Sequence, residues 1–216
     1  MTTDPANLVI ETALAMNERG INSGMSGNVS MRDGDEILIT PSSTPYDELT
    51  PADVVHMAQS GAWTADNNRR PSSEWRFHLD IYAARPDVGG IVHAHPVNTT
   101  ALAVHGRGIG AFHYMVAVGG GRDIRCAPYA TFGTAELSAH VVEALVDRTA
   151  TLMAHHGLVA VGADPTRALG TAIEIETLAA QYLRALVLGE PPELTDEQMD
   201  EVLSKMGEGP GYGSTA

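Results

Sequence analysis

The chain has 216 residues, of which 44% are hydrophobic, 19% charged and 5% aromatic, a composition that excludes disordered and fibrous classes and suits one globular core. Its 27 acidic against 13 basic residues give a formal net charge of −14. That charge disfavours a nucleic-acid partner, which selects lysine and arginine clusters, but not a small phosphorylated substrate held by local amides and hydroxyls. The single cysteine, Cys126, excludes an internal disulfide framework. No basic-then-apolar leader opens the chain and no run approaches the roughly 20 apolar residues of a membrane span, so a cytoplasmic location is expected.

In chain order, Asp4-Pro5 followed by Leu8, Val9, Ala13 and Leu14 predicts a capped helix stopped by Gly20. A glycine-punctuated loop, residues 24–28, leads into two strands, 29–32 and 36–40, flanking Asp33-Gly34-Asp35 as a hairpin. Residues 54–58 and 62–64 suggest two further short strands. Ser72-Ser73-Glu74 opens a helix that ends before Pro86, with one of the serines as its cap, and a strand over 90–95 follows.

Thr134 starts a helix to about Asp147, and 151–154 and 158–161 read as strands. Asp164-Pro165 begins the longest helix, to Leu188 with Gly189 just beyond, and a short helix begins near Thr195-Asp196. Early hairpins followed by strands separated by helices predict an α/β fold, a mostly antiparallel sheet covered by helices. One domain is expected over 1–206. The tail, 207–216, has four glycines and a proline and is expected to be mobile. Gly119-Gly120-Gly121 lacks the spacing of a dinucleotide fingerprint and reads as a flexible turn.

The sharpest local signal is His93-Ala94-His95. Side chains alternate along a strand, so these two imidazoles share a face and suit a divalent cation. His155-His156-Gly157 offers a third ligand, the glycine allowing a tight turn toward the pair. Glu74, on the helix leading into the His93 strand, is the natural carboxylate partner. Taken alone, hydrogen-bonded or surface histidines and a glutamate favouring its helix dipole fit equally well. His56, His78, His105, His113 and His140 read as structural or solvated, and Arg76, Arg122 and Arg125 as surface or salt-bridge residues.

In combination the motifs say more. Gly27-Asn28-Val29-Ser30, Thr40-Pro41-Ser42, Pro71 through His78, the His93/His95 pair, Cys126 through Thr134 and His155-His156-Gly157-Leu158 occur in order. Together they closely resemble the class II aldolase/adducin family, in its aldolase branch, over nearly the whole chain. The resemblance implies a three-layer α/β/α fold and a zinc ion on His93, His95 and His156, with Glu74 beside the metal as catalytic acid/base. It implies that Asn28, Ser42, Ser43, Ser72 and Ser73 bind the substrate phosphate. Tyr114 would reach the active site of a neighbouring subunit in a four-fold homotetramer, and Tyr212 in the tail would close over substrate. The implied reaction is reversible retro-aldol cleavage of a ketose 1-phosphate through a metal-stabilised enediolate.

Ser43 stands where that branch carries glycine, so a positive φ there would strain the serine. Family alternatives are a pentulose-5-phosphate 4-epimerase, an aldolase or dehydratase for 5-deoxyribulose or methylthioribulose 1-phosphate, and, outside catalysis, an adducin-like interaction module.

Overall fold

The computed structural model describes residues 4–208. Helix α1, Pro5–Glu18, begins with Pro5 in its first turn and the Asp4 carboxylate accepting from the Ala6 amide at 3.1 Å. Strands β1, Asn28–Asp33, and β2, Glu36–Ile39, form the expected hairpin, followed by β3, Val55–Ala58, and β4, Trp63–Thr64. The order continues α2, Trp75–Ala84; β5, Gly90–Ala94; α3, Val97–Ala103; β6, Arg125–Ala127; α4, Ala135–Ala144; β7, Ala150–Met153; β8, Gly157–Gly162; α5, Pro165–Ala185; and α6, Asp196–Glu208.

The eight strands of the described residues form one sheet in the order β4-β3-β2-β1-β5-β8-β7-β6. Every pairing is antiparallel except β6 with β7 at one edge. Helices α1, α3 and α5 bury Val9, Ala13, Leu102, Ala172 and Ile175 against one face of the sheet, while α2 and α4 bury Phe77, Ile81, Leu137 and Val141 against the other. This is the three-layer α/β/α arrangement. The site depends on β5, the strand between the two halves of the sheet: all five of its residues are buried because helices cover both faces.

Several boundaries differ from expectation for identifiable reasons. Helix α2 starts at Trp75, with Glu74 in the N-cap position and no side-chain cap; Ser72 Oγ instead accepts the Glu74 amide at 3.3 Å. The Glu74 carboxylate is thereby left for other partners. Helix α4 stops at Ala144, and Asp147 takes a left-handed conformation with φ 55°. The longest helix relaxes into a 3₁₀ turn over Leu186–Leu188 before Gly189.

The triple glycine is a packed turn: a Cβ at Gly119 would lie 2.0 Å from Ile124 Cδ1, and one at Gly121 2.2 Å from the Arg148 guanidinium carbon. The expected tail boundary at Gly207 falls inside α6; Tyr212 lies outside the described residues. No described helix is long and apolar enough to cross a membrane.

Candidate metal centre and active site

His93 is the fourth residue of β5 and His95 follows the strand's end, so alternation sends both rings to one side, with their Nε2 atoms 3.0 Å apart. The His93 Nδ1–H donates to the Leu158 carbonyl at 2.9 Å, which reserves the Nε2 lone pair of a neutral ring for the site. His156 arrives from the tight β7–β8 connection. The residue bearing the strained backbone there is His155, with φ 55°, and not the glycine. Gly157 is needed for close approach: a Cβ would sit 2.5 Å from the Ala94 carbonyl oxygen and 2.7 Å from His95 Cδ2.

Glu74 closes the cluster from below. Its Oε2 lies 3.0 Å from His93 Nε2 and its Oε1 3.0 Å from His156 Nε2. One ligand atom from each of Glu74, His93, His95 and His156 falls within 4.8 Å of the others. Glu74 Oε1 is buried and accepts no aligned hydrogen bond despite the nearby imidazole. A buried oxygen without a proper donor, beside three nitrogens aimed at the same point, fits a divalent cation, and three imidazoles with one displaceable carboxylate suit a catalytic site with an open position.

The electrostatics agree. Burial opposes ionisation of Glu74, but His93 and His156 outweigh it and hold the carboxyl well below its usual range. Burial and the neighbouring imidazoles push His95 down to about 4. His93 is pulled above its ordinary value: burial favours the neutral ring, and the adjacent Glu74 charge overrides it.

Two cavities meet at Ser73 and Glu74. One, of about 390 Å³, is lined by His95 and His156 together with Tyr129, Phe132 and His155. The other, of about 240 Å³, is lined by Asn28, Ser42, Ser43, Ser72 and Ser73, so the five residues expected to hold phosphate surround one space. Ser43 has φ 55°, the left-handed conformation that glycine tolerates better. Tyr114 opens a 3₁₀ turn, Tyr114–Gly119, lines neither cavity and is 49% exposed.

Sequence reasoning missed Tyr129, Phe132 and His155 as lining residues, although all three sit inside motifs it singled out. His78, expected to be structural or solvated, is fully buried: its Nε2 lies 2.5 Å from Asn28 Oδ1 and its Nδ1 2.6 Å from Ser30 Oγ. The spacing of four residues from Glu74 to His78 was the available signal. Arg76, Arg122 and Arg125 are surface residues engaged with Asp80, with Asp196 and Asp200, and with the Val146 carbonyl, respectively.

A covered sheet presenting three imidazoles and a carboxylate beside a hydroxyl-lined cavity defines an α/β protein with a candidate metal site, built like an enzyme. The chain matches the Class II Aldolase and Adducin N-terminal domain over residues 7–183, and it belongs to that family. It is 50% identical over 197 residues to the 5-methylthioribulose-1-phosphate/5-deoxyribulose-1-phosphate aldolase of Rhodospirillum rubrum, covering 91% of this chain and 88% of that protein. It is 47% identical over 201 residues to the L-fuculose phosphate aldolase of Escherichia coli strain K12, covering 93% of each. A solved L-fuculose 1-phosphate aldolase superposes with a TM-score of 0.91 at 35% identity, over 96% of this chain and 98% of that one. Within the family the chain is therefore a class II aldolase, an aldehyde-lyase.

Proposed function

We propose that the protein reversibly cleaves a ketose 1-phosphate to dihydroxyacetone phosphate and a short aldehyde, with L-fuculose 1-phosphate, which gives L-lactaldehyde, as the first candidate. The observation that carries this is the convergence of His93, His95, His156 and Glu74 next to the cavity lined by Asn28, Ser42, Ser43, Ser72 and Ser73. That adjacency suits a substrate with its phosphate one carbon from the carbonyl to be polarised. The Rhodospirillum relative supports a second candidate, 5-deoxyribulose 1-phosphate or its methylthio analogue, which differs only in the aldehyde half.

The three histidines would hold Zn2+, a borderline-soft cation that favours neutral imidazole. Bound there, the ion supplies Lewis-acid stabilisation of the negative charge that develops on the substrate oxygens. The remaining work falls to the chain. Asn28 and the four serines anchor phosphate through neutral donors. In condensation the Glu74 carboxylate removes a proton from carbon 3 of the three-carbon fragment before the C3–C4 bond forms, and in cleavage the carboxyl so protonated returns it.

In condensation the exposed Tyr114 donates its hydroxyl proton to the new C4 oxygen in a neighbouring subunit's site of a four-fold homotetramer, and the proton taken up by Glu74 restores that hydroxyl; cleavage runs the same transfers in reverse. The lone, half-buried Cys126 suits a reducing cytoplasm.

The test is a cleavage assay over L-fuculose 1-phosphate, 5-deoxyribulose 1-phosphate and methylthioribulose 1-phosphate, with and without a chelator, reading dihydroxyacetone phosphate. Chelator-sensitive release is expected, and kcat/KM ranks the aldehydes. A C4 epimer in place of fragments would establish an epimerase. Purified protein with neither bound metal nor cleavage would establish an interaction module.

A further inference from the structure

Five polar side chains run through the core in one unbroken row: Tyr82, Ser30, His78, Asn28 and Glu74. Each is at most 5% exposed. The row arises from two periodicities that interlock. Asn28 and Ser30 share a face of β1, and Glu74 at the N-cap of α2 is followed at intervals of four by His78 and Tyr82 on the helix. The contacts are Tyr82 Oη to Ser30 Oγ at 2.9 Å, Ser30 Oγ to His78 Nδ1 at 2.6 Å, His78 Nε2 to Asn28 Oδ1 at 2.5 Å, and Asn28 Nδ2 to Glu74 Oε2 at 3.1 Å.

The direction of every bond follows from the Asn28 amide, whose Nδ2 faces Glu74 Oε2 and donates to it while its Oδ1 faces His78 Nε2. An amide oxygen only accepts, so the proton of His78 sits on Nε2. A buried imidazole with no carboxylate on it is neutral, which leaves a lone pair on Nδ1, and Ser30 must donate to it. With its one proton used, Ser30 accepts from Tyr82. Among the described residues the Tyr82 hydroxyl has no other partner, so a reversed row would leave its proton unpaired in the core.

We infer that Tyr82, Ser30 and His78 are positioning residues that lock the Asn28 amide in one orientation, so that its NH₂ both braces the Glu74 carboxylate and faces the serine-lined cavity. Filling this space alone would take apolar side chains, and a buried polar row is justified energetically only when every member is satisfied. The satisfied row leaves Asn28 a single orientation. A flipped amide would set its oxygen against Glu74 Oε2, acceptor against acceptor. The assigned role rests on Glu74 carrying the proton in aldol chemistry; the tautomer and amide orientation stand apart from it.

The deciding comparison uses metal-loaded enzyme carrying His78→Gln or His78→Leu. Glutamine can still donate to Asn28 and accept from Ser30; leucine fills similar space and does neither. His78→Leu is expected to lose about 10–100-fold in kcat/KM, mostly in kcat, at unchanged metal content, with His78→Gln recovering most of it. Leucine matching or exceeding glutamine would overturn the role and leave simple packing.

Histidine-¹⁵N NMR of the unsubstituted protein needs no variant and no substrate. It is expected to show His78 protonated on Nε2 only, and an Nδ1–H tautomer would overturn the directional row. If the wild-type protein cleaved none of the three ketose phosphates, the aldolase substrate proposal would fail while this spectrum still judged the row.

Discussion

Asn28 and His93 face each other directly across the antiparallel β1–β5 pair, and both reach the same oxygen of Glu74, at 3.1 and 3.0 Å. A carboxylate carried on a helix is thus held in place by two adjacent strands of the sheet. An imidazole of the histidine cluster and an amide of the serine-lined cavity therefore share one carboxylate, and Glu74 borders both cavities.

That coupling makes Glu74→Gln informative. Glutamine keeps the size and an acceptor for Asn28 but carries no exchangeable acid proton. Metal content is expected to stay near wild type while turnover falls about 10²–10⁴-fold, the usual contribution of a positioned acid/base. Metal analysis beside single-turnover cleavage checks both halves, and near-normal turnover would remove Glu74 from proton transfer.

The pairing of His93 with His95 was legible because it follows from local periodicity, alternation placing both rings on one face; His156 and Glu74 stayed open to a structural reading until the family resemblance joined them to the pair. The row through His78 was written in equally regular spacings, but reading it requires knowing that α2 packs over β1, a relationship between residues 46 to 52 positions apart. Helix α3 was not expected at all. Its sequence, with Val97 and two threonines, has weak helical preference. Its first amides are satisfied by a remote group: Glu176 on α5 accepts from the Asn98 and Thr99 amides, both at 2.8 Å. Strand β6 is only three residues long and gains its identity from parallel pairing with β7.

Ser43 occupies a left-handed conformation at the rim of the hydroxyl-lined cavity. Left-handed backbone costs an L-residue about 1–2 kcal/mol, and glycine returns about 0.5–1 kcal/mol of that as unfolded-chain entropy. Ser43→Gly is therefore expected to stabilise by about 0.5–1 kcal/mol, seen as a higher urea midpoint at constant m-value. If the hydroxyl also contacts phosphate, KM rises in the same variant. A stabilised protein with unchanged KM would take Ser43 out of phosphate binding.

Gly157 offers the opposite experiment. A methyl group there meets the Ala94 carbonyl oxygen at 2.5 Å and His95 Cδ2 at 2.7 Å, so either the β5–β8 pairing or the imidazole must move. Gly157→Ala is expected to destabilise by about 1–3 kcal/mol and weaken metal affinity roughly tenfold or more, measured by chelator competition. Gly170→Ala, at an exposed position of α5 with nothing within 4 Å of the new carbon, is the control. It should stabilise by up to about 1 kcal/mol and leave metal binding alone.

Burial holds His78 down to about 3, reinforced by His93. In the unfolded chain it titrates near 6.5. Between those values the unfolded state takes up a proton that the native state refuses, so stability rises with pH across the window and is lost progressively as pH falls from about 6.5 toward 3. One such group contributes a slope of up to about 1.4 kcal/mol per pH unit. Depressed His95 and Glu74 add slopes of the same sign, and raised His93 one of opposite sign. The His78 share is isolated by subtracting His78→Gln from wild type, both metal-free so that coordination does not titrate in the same range. Urea midpoints at pH 4, 5, 6 and 7 should diverge, with wild type losing more stability toward acid. Parallel curves would mean that the native protein accommodates a charged His78, and the one-way row from Tyr82 to Glu74 could not then be intact.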